Sequence, residues 1–327
     1  MKILITGVAG FIGYHIAARV LAEGHFVIGV DNLNGYYDPL LKQHRLQLLK
    51  QYENNRAVEL HVLDICDQSC LRSLFRKHAF SAVIHMAAQA GVRYSIEEPR
   101  KYIETNIGGF FNVLDLCKEY KVPHLIYASS SSVYGGSPNY PYRENDDTDR
   151  PLQLYAATKK SNELMAYSYS SLYGMRTTGL RFFTVYGPLG RPDMAIAKFV
   201  NCVSEGKQVQ LYNYGDHLRD FTYVDDVTSA MNLLLCSASS SQPARIYNIG
   251  RGHPESLEAL ITHIEEAVGK RALVMLAPPQ PGDTQCTYSD SGAFASDFGF
   301  EPTISLRDGI GLYVDWYRQY YDQHRPR

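Results

Sequence analysis

A tyrosine and a lysine stand four residues apart in the segment LYAATKK, at Tyr155 and Lys159. On a helix this spacing places both side chains on one face. An ammonium group beside a phenol stabilises the phenolate, which then acts as a general base near neutral pH. The chain contains 25 tyrosines, so the spacing also arises by chance, and its surroundings decide what the pair means.

A run of serines lies upstream of this pair, immediately before Val133 and Tyr134. It follows a predicted strand, Leu125 to Ala128, and parallel sheets bind their ligands at the carboxyl ends of the strands. Ser130 is therefore a candidate to hydrogen-bond a reacting hydroxyl and relay its proton. A flexible loop is the alternative interpretation of the serine run taken by itself.

The N-terminal segment ILITGVAGFIG has glycines spaced three apart between a predicted strand and a predicted helix. Such glycines allow a tight turn, backbone approach to a pyrophosphate and close helix packing, while the helix N-terminus attracts the phosphate charge. The residues expected to bind a dinucleotide here are Gly7, Gly10, Phe11, Ile12 and Gly13. The alternative is a purely structural turn.

Asp31 ends the second predicted strand, where a dinucleotide ribose is expected. Its charge would repel a 2′-phosphate, so NAD is favoured over NADP. Asp64, after the third strand, is a candidate to meet the adenine, although it is equally typical of an ordinary loop. The other expected cofactor contacts lie next to these aspartates, in the small-residue run HMAAQAGV, or further along: Asn32, Ile65, Ala87, Ala88, Gln89 and Asn106.

Short apolar runs alternate with amphipathic stretches through the first half of the chain, which predicts parallel strands joined by crossover helices. Strands are expected at Lys2 to Thr6, Phe26 to Val30, Val58 to Leu63, Ala82 to His85, Leu125 to Ala128 and Thr178 to Phe182, and helices near Phe11 to Glu23, Pro39 to Gln51, Gln68 to Lys77, Arg100 to Tyr120 and Leu154 to Tyr173. The predicted fold class is α/β, a Rossmann-like doubly wound parallel sheet with a smaller C-terminal substrate-binding lobe. Residues 1–183 are assigned to the NAD-binding domain, segments around 210–250 to a return into it, and 184–327 mainly to the lobe.

Composition excludes several classes of function. The formal net charge of -2 and the lack of a basic run argue against nucleic-acid binding. The six cysteines show no zinc spacing, so reduced cysteines and no metal are expected. No leader or long apolar span is seen, and a cytoplasmic protein without a membrane partner is expected.

The motifs GVAGFIG, HMAAQAGV, SSSSVYG, YAATK and RDFTYVDD occur in this order over nearly the whole chain. In this it resembles the extended short-chain dehydrogenase/reductase family, in its NAD-dependent epimerase/dehydratase group. Longer segments, among them DNLNGYYDPLLKQHRL, AAQAGVRYSIEEP, LRFFTVYGPLGRPDMA and YNYGDHLRDFTYVDD, are similar to the subgroup that epimerises UDP-glucuronate at carbon 4.

This resemblance implies a reaction through a transient 4-keto sugar, with hydride passing to and from bound NAD. Tyr155 would take the proton of the 4-hydroxyl, Lys159 would also bind the nicotinamide ribose, and Ser130 would hold the 4-oxygen. The implied partner is a UDP-sugar, UDP-glucuronate in this subgroup. By the same resemblance the protein is a homodimer, formed through the stretches Arg100 to Tyr120 and Leu154 to Tyr173.

A 4-keto glucuronate is a β-keto acid and loses carbon dioxide unless its carboxylate is held out of alignment with the carbonyl. The candidates to hold it are Ser131, Ser132, Thr184 and Arg191, the arginine because its planar fork matches a carboxylate. A surface arginine is the alternative for Arg191.

Two further residues are expected to bind the nucleotide part of the substrate. Arg219 would contact the diphosphate, unless it only pairs with Asp220 or Asp225. Asp283 would meet the nucleoside, although some relatives have arginine where Gln280 stands.

At two positions this chain differs from related groups, and these differences reduce the number of reactions that the resemblance allows. Related 4,6-dehydratases and UDP-glucuronate decarboxylases have an acidic residue directly before the VYG element, where this chain has Ser132. Many relatives have asparagine where this chain has Thr184, as the glucuronate subgroup does. Two other functions stay open: a UDP-glucose/UDP-galactose 4-epimerase, and a non-catalytic dinucleotide-binding sensor, against which Tyr155, Lys159 and Ser130 argue.

Overall fold

The computed structural model describes residues 1–53, 56–237, 243–280 and 282–324. The chain forms two units. Unit 1 comprises Met1–Ser137, Glu144–Phe182 and Thr228–Asn248, and unit 2 comprises Pro138–Arg143, Phe183–Val227 and Ile249–Arg327. Of the residues around 210–250, positions 228–248 therefore belong to unit 1 and 210–227 to unit 2. The three serines Ser239 to Ser241 are a brief low-complexity run that predicts a loop, and they lie outside the described residues.

The strands follow one another along the chain as short segments of three to six residues. They are β1 Lys2–Thr6, β2 Phe26–Asp31, β3 Val58–Val62, β4 Ala82–His85, β5 Leu125–Ser130, β6 Thr177–Phe182, β7 Thr184–Tyr186, β8 Gln208–Leu211, β9 Leu218–Tyr223, β10 Ala244–Ile249, β11 Pro254–Ser256 and β12 Leu273–Leu276. The strands predicted in the first half agree with these bounds to within two residues.

Twelve α-helices lie between or after these strands in the described part of the chain. They are α1 Phe11–Ala22, α2 Pro39–Lys50, α3 Gln68–Lys77, α4 Tyr94–Glu97, α5 Pro99–Tyr102, α6 Phe110–Glu119, α7 Leu154–Tyr173, α8 Ala195–Glu205, α9 Val224–Cys236, α10 Leu257–Val268, α11 Gly292–Phe298 and α12 Leu306–His324. The helix predicted from Arg100 to Tyr120 is interrupted, because Ile103–Gly109 is a π-helical stretch between α5 and α6. Such stretches often occur at functional sites.

Unit 1 is built on a seven-stranded sheet in the order β10-β6-β5-β4-β1-β2-β3, with parallel pairing from β6 through β3. The central strands are continuous apolar runs because both faces are covered, and Ile3, Leu4 and Ile5 are fully buried. Phe75 of α3 and Phe110 of α6 pack in this core. The predicted Rossmann-like fold is confirmed.

Unit 2 has two small sheets, one of order β11-β9-β7 and one pairing β12 with β8. Its core joins apolar side chains of α8, α10 and α12, among them Val200, Leu260 and Val314. The amphipathic helices of this unit therefore bury their apolar faces against one another and against β9.

Within the described part of the chain, no helix is both long enough and apolar enough to cross a membrane. The six cysteines are all free thiols in the structure.

Candidate active site

The loop between β1 and α1 makes a close-packed backbone cradle. Gly7 has a φ of +72°, and a Cβ atom there would lie 2.6 Å from the amide nitrogen of Ala87. A Cβ at Gly13 would collide with the carbonyl oxygen of Gly7. Gly10 precedes α1 with no side-chain cap, and the first turn of the helix has no acidic residue. The backbone amides at Phe11 and Ile12 therefore suit an anionic group such as a pyrophosphate.

Gly13→Ala is expected to weaken dinucleotide binding by at least about tenfold, because the added methyl would collide with backbone and overpacking costs about 1–3 kcal/mol. Equilibrium binding of NAD, followed by fluorescence, measures this. Gly311→Ala is the matched control, since a Cβ there meets nothing within 4 Å. Equal NAD affinity in both variants would contradict the cradle.

Asp31 closes this cradle from β2. Its carboxylate accepts the amide hydrogens of Ala9, at 3.1 Å, and of Leu33, at 2.8 Å, and its side chain is buried. The expected ribose partner is thus held directly beside the glycine loop.

Asp64 and Asn32 form a second polar group at the same sheet edge. The Asn32 amide donates to Asp64 Oδ2 at 2.9 Å, and the Cys66 amide donates to Oδ1 at 2.8 Å. Burial opposes the charged form of Asp64, but these hydrogen bonds outweigh it and lower the pKa of the carboxyl. Ile65 is buried beside them.

Asn106 lies on the π-helical stretch and links the loop after β4 to α7. Its side chain exchanges two hydrogen bonds with the backbone of Gln89, at 2.8 and 3.0 Å, and donates to Thr158 Oγ1 at 3.1 Å. Its carbonyl accepts from Asn162. The structure therefore uses Asn106 to set the position of α7 against the loop that contains Ala87, Ala88 and Gln89.

Lys159 is almost completely buried on α7, and its Nζ donates to the carbonyl of Ala128 on β5 at 3.0 Å. Burial disfavours the ammonium and lowers the pKa of Lys159 to about 8. Tyr155 lies one turn earlier and is half-buried, with the ring of Tyr102 packed edge-on at 6.1 Å. The helix thus brings Lys159 against β5, with Tyr155 one turn before it.

Ser130 is the last residue of β5 and caps the short 3-10 helix Ser131–Tyr134. Its hydroxyl oxygen accepts the Ser132 amide hydrogen, and the hydroxyl donates to Ser132 Oγ, both at 3.1 Å. Ser131 and Ser132 are half-buried. The serine run is therefore an ordered turn, in which Ser130 stands two residues after the carbonyl that binds Lys159.

A buried ion pair that the sequence analysis missed lies behind these residues. Arg181 of β6 binds Glu163 of α7 through two hydrogen bonds of 2.8 Å, and both side chains are 3% exposed. Ser129 also donates to Glu163, and Tyr134 accepts from Arg181. Two signals were available: Glu163 lies four residues after Lys159 on the same helix face, and Arg181 is a charge within an apolar strand.

In unit 2, Thr184 begins β7 and is half-buried. Arg191 follows in the next loop, where its guanidinium donates to both carboxylate oxygens of Asp193, at 3.0 and 2.5 Å. A substrate carboxylate would therefore have to compete with Asp193 for the fork of Arg191.

Arg219 on β9 donates to the backbone carbonyls of Leu218 and Gln285. Burial lowers its pKa, while Asp283 opposes that effect. The neighbouring carboxylate, Asp220, is fully buried and accepts the amide hydrogens of Arg251, Gly252 and Ser289. Because the acceptors of Arg219 are backbone carbonyls and not a carboxylate, the charge of its guanidinium can still attract an anionic ligand.

Residues 3–250 match the model of the NAD dependent epimerase/dehydratase family. The chain belongs to this family. The prediction of an NAD-dependent enzyme of the epimerase/dehydratase group is confirmed by this membership. The uncapped start of α1 and the carboxylate of Asp31 fit such a cofactor.

Relatives of this epimerase/dehydratase are similar to it over nearly its whole length. A probable UDP-glucuronate 4-epimerase of Rhizobium meliloti (strain 1021) is 41% identical, with 98% of each chain covered. The crystal structure of UDP-glucuronic acid 4-epimerase from Bacillus cereus, in complex with UDP-glucuronic acid and NAD, is 32% identical with a TM-score of 0.91, covering 98% of this chain and 100% of that one. The UDP-glucose 4-epimerase of Thermus thermophilus, in complex with NAD, is 32% identical with a TM-score of 0.87, covering 97% and 99%.

Proposed function

We propose that this protein is an NAD-dependent isomerase that epimerises a UDP-sugar at carbon 4, with UDP-glucuronate and UDP-galacturonate as its substrate pair. The observation that carries the proposal is the position of Lys159 and Ser130 at the carboxyl end of β5, with Tyr155 one turn before Lys159 on α7. The glycine loop lies at the same edge of the sheet. The names of the relatives support the same reaction.

The cofactor would be held by the backbone at Gly7, Gly10 and Gly13, with Asp31 on a ribose hydroxyl. When bound, NAD supplies the acceptor and later the donor of the hydride at carbon 4. Tyr155 removes the proton of the 4-hydroxyl and returns it after the sugar has turned over. The buried ammonium of Lys159 favours the phenolate of Tyr155, and the Ser130 hydroxyl donates a hydrogen bond to the 4-oxygen.

The candidates to bind the sugar carboxylate are Ser131, Ser132, Thr184 and Arg191. Hydroxyls and a guanidinium are suitable donors to a carboxylate. Arg219 would bind the diphosphate and Asp283 the nucleoside. The carboxylate contacts distinguish UDP-glucuronate from a neutral UDP-hexose, because the hydride chemistry itself is the same for both.

Incubation of the purified protein with UDP-glucuronate, UDP-glucose and UDP-galactose, without added reductant, tests the proposal. We expect interconversion of UDP-glucuronate and UDP-galacturonate without release of carbon dioxide. An absence of turnover with every sugar would contradict the proposal. Turnover of the neutral sugars alone would establish the UDP-glucose/UDP-galactose epimerase instead.

That second function has one observation in its favour, the pairing of Arg191 with Asp193. Arg191→Ala separates the two functions. For a glucuronate epimerase we expect kcat/KM for UDP-glucuronate to fall by about tenfold or more, the usual scale for losing a charge-assisted hydrogen bond of about 1.5–3 kcal/mol. Arg307→Ala, at an exposed ion pair with Glu266, is the control. Unchanged turnover of the acid sugar with faster turnover of the neutral sugar would assign the neutral substrate.

The assembly proposed for the protein is a homodimer formed through α6 and α7. Both helices expose large apolar side chains, 43% of Phe111, 58% of Leu164, 66% of Tyr167 and 69% of Leu172. Exposed apolar patches of this kind mark interfaces. We expect Leu164→Glu to give a monomer in light scattering, whereas Leu40→Glu, at the exposed start of α2, leaves the dimer. A parent protein that runs as a monomer contradicts this proposal.

A further inference from the structure

The segment 32–38, between β2 and α2, has an ordered path of its own. Its backbone is set by short-range hydrogen bonds, since the Asn32 side chain accepts the Asn34 amide and the Asn34 side chain accepts the Tyr36 amide. The Asp38 carboxylate then caps α2 by accepting the Leu40 amide. The segment is therefore a defined chain of turns, and we call it the strap.

Two buried cations of α2 hold the strap from one side. Lys42 Nζ donates to the carbonyl and to the side-chain oxygen of Asn34, at 2.8 and 2.9 Å. Arg45 is fully buried, and its Nη1 donates to the Tyr37 hydroxyl at 2.6 Å and to the Ala9 carbonyl at 2.7 Å. A single guanidinium thus ties the strap to the glycine loop.

An aromatic side chain holds the strap from the other side. The hydroxyl of Tyr36 reaches the loop after β4, where it contacts the backbone of Gly91. A Cβ atom on residue 91 would collide with this hydroxyl. The ring of Tyr36 packs against that of Tyr94 with centroids 4.9 Å apart. The absence of a side chain at Gly91 is therefore what admits Tyr36.

The sheet order shows what lies between these two attachments. The strap leaves the carboxyl end of β2 and contacts the loop after β4, and β1 lies between these two strands. The strap and the Tyr36 side chain consequently cross the carboxyl end of β1, where the glycine loop begins. The same ring contacts continue toward the reaction site, from Tyr94 to Tyr102 and on to Tyr155, with centroids 6.4 and 6.1 Å apart.

We propose that Arg45, Tyr37 and Tyr36 are positioning residues for the cofactor: they hold the strap across the glycine loop and so set the rate at which NAD leaves. This rests on the cofactor site proposed above but not on the identity of the sugar. An epimerase reduces and reoxidises one dinucleotide in each turnover, so it gains from retaining the cofactor. A strap that is held on both sides, at Tyr37 by Arg45 and at Tyr36 by the loop after β4, would retain the cofactor, because the cofactor leaves only when one of these contacts breaks.

Exchange of bound NAD for isotopically labelled NAD, followed by mass spectrometry, tests the proposal on the whole protein without any sugar. Three variants are compared: Tyr37→Phe, which removes the hydroxyl that Arg45 binds; Arg45→Met, which removes the guanidinium; and Tyr36→Leu, which removes the ring that reaches Gly91 and Tyr94. We expect exchange to be at least about tenfold faster for Arg45→Met and Tyr36→Leu, since each loses contacts worth a factor of this size. Tyr37→Phe should accelerate exchange by a smaller factor, because the phenyl ring that remains still packs against Lys42 and Arg45.

Tyr169→Phe is the control, because its hydroxyl contacts Asp115, away from the strap. Thermal unfolding of each variant separates a loosened strap from general destabilisation. Exchange within about twofold of the parent for both Tyr36→Leu and Tyr37→Phe would overturn the proposal, even if Arg45→Met fails to fold. A parent protein that retains NAD but turns over no UDP-sugar contradicts the proposed function while leaving the exchange comparison valid.

Discussion

Tyr155→Phe is expected to lower kcat for epimerisation by about a thousandfold while NAD remains bound. The phenol is the only group that we assign to remove the proton of the 4-hydroxyl, and general acid–base catalysis contributes about 10²–10⁴-fold. The loss should appear in kcat and kcat/KM alike, because the proton transfer occurs only in the transition state. Rates of sugar interconversion and the NAD content of the purified variant provide the measurement.

Tyr167→Phe is the matched control for this experiment, because it makes the same change further along α7 and keeps the aromatic ring that the proposed dimer contact uses. It should turn over at the parental rate. If Tyr155→Phe also retained parental turnover, the base would have to be another group, and the role assigned to Tyr155 would be wrong. If the parent protein itself bound NAD without any turnover, the chain would be the dinucleotide sensor.

The largest effect on stability is expected at the buried ion pair. Arg181→Met should lower the free energy of unfolding by about 3–5 kcal/mol, because it leaves the carboxylate of Glu163 buried without its ionic partner. Removing both charges together, in the double variant Glu163→Leu with Arg181→Met, should cost less than the single change. Urea unfolding of the two single variants and the double variant gives the coupling energy directly.

The ion pair of Glu265 with Arg271, whose side chain is 91% exposed, is the control. Its removal by Arg271→Ala should change stability by no more than about 1 kcal/mol. A loss of similar size at both pairs would show that burial does not determine the strength of the Glu163 interaction. Because Glu163 also accepts from Ser129 of β5, Arg181→Met should in addition lower kcat by shifting the end of β5, which contains Ser130 and the Ala128 carbonyl that binds Lys159.

Much of unit 1 was predictable from local patterns. The glycine spacing, the apolar runs and the position of Asp31 at the end of β2 each depend on residues close in sequence, and the structure has them where they were expected. The π-helical stretch Ile103–Gly109 was not predictable, because its amphipathic pattern resembles that of an α-helix. Asn106 lies on this stretch and binds Gln89 and Thr158. These partners are 17 and 52 positions away along the chain.

The candidate site shows the same division. Tyr155 and Lys159 lie on one face of α7 because helical geometry alone requires it. The burial of Lys159, which lowers its pKa to about 8, requires β5 to lie beneath α7. Likewise, an arginine at position 191 is the kind of residue that a carboxylate site needs, but only the structure shows that its guanidinium already pairs with Asp193.

The family motifs, the parallel α/β fold and the residue types available for chemistry could be predicted from the sequence, because they follow from spacing along the chain. Which strands are neighbours depends on how the distant segments pack. The order β4-β1-β2 carries the strap across the glycine loop and lets Arg45 bind a carbonyl 36 residues away. Such contacts are decided by packing between distant segments, and nothing in the spacing of residues along the chain records them.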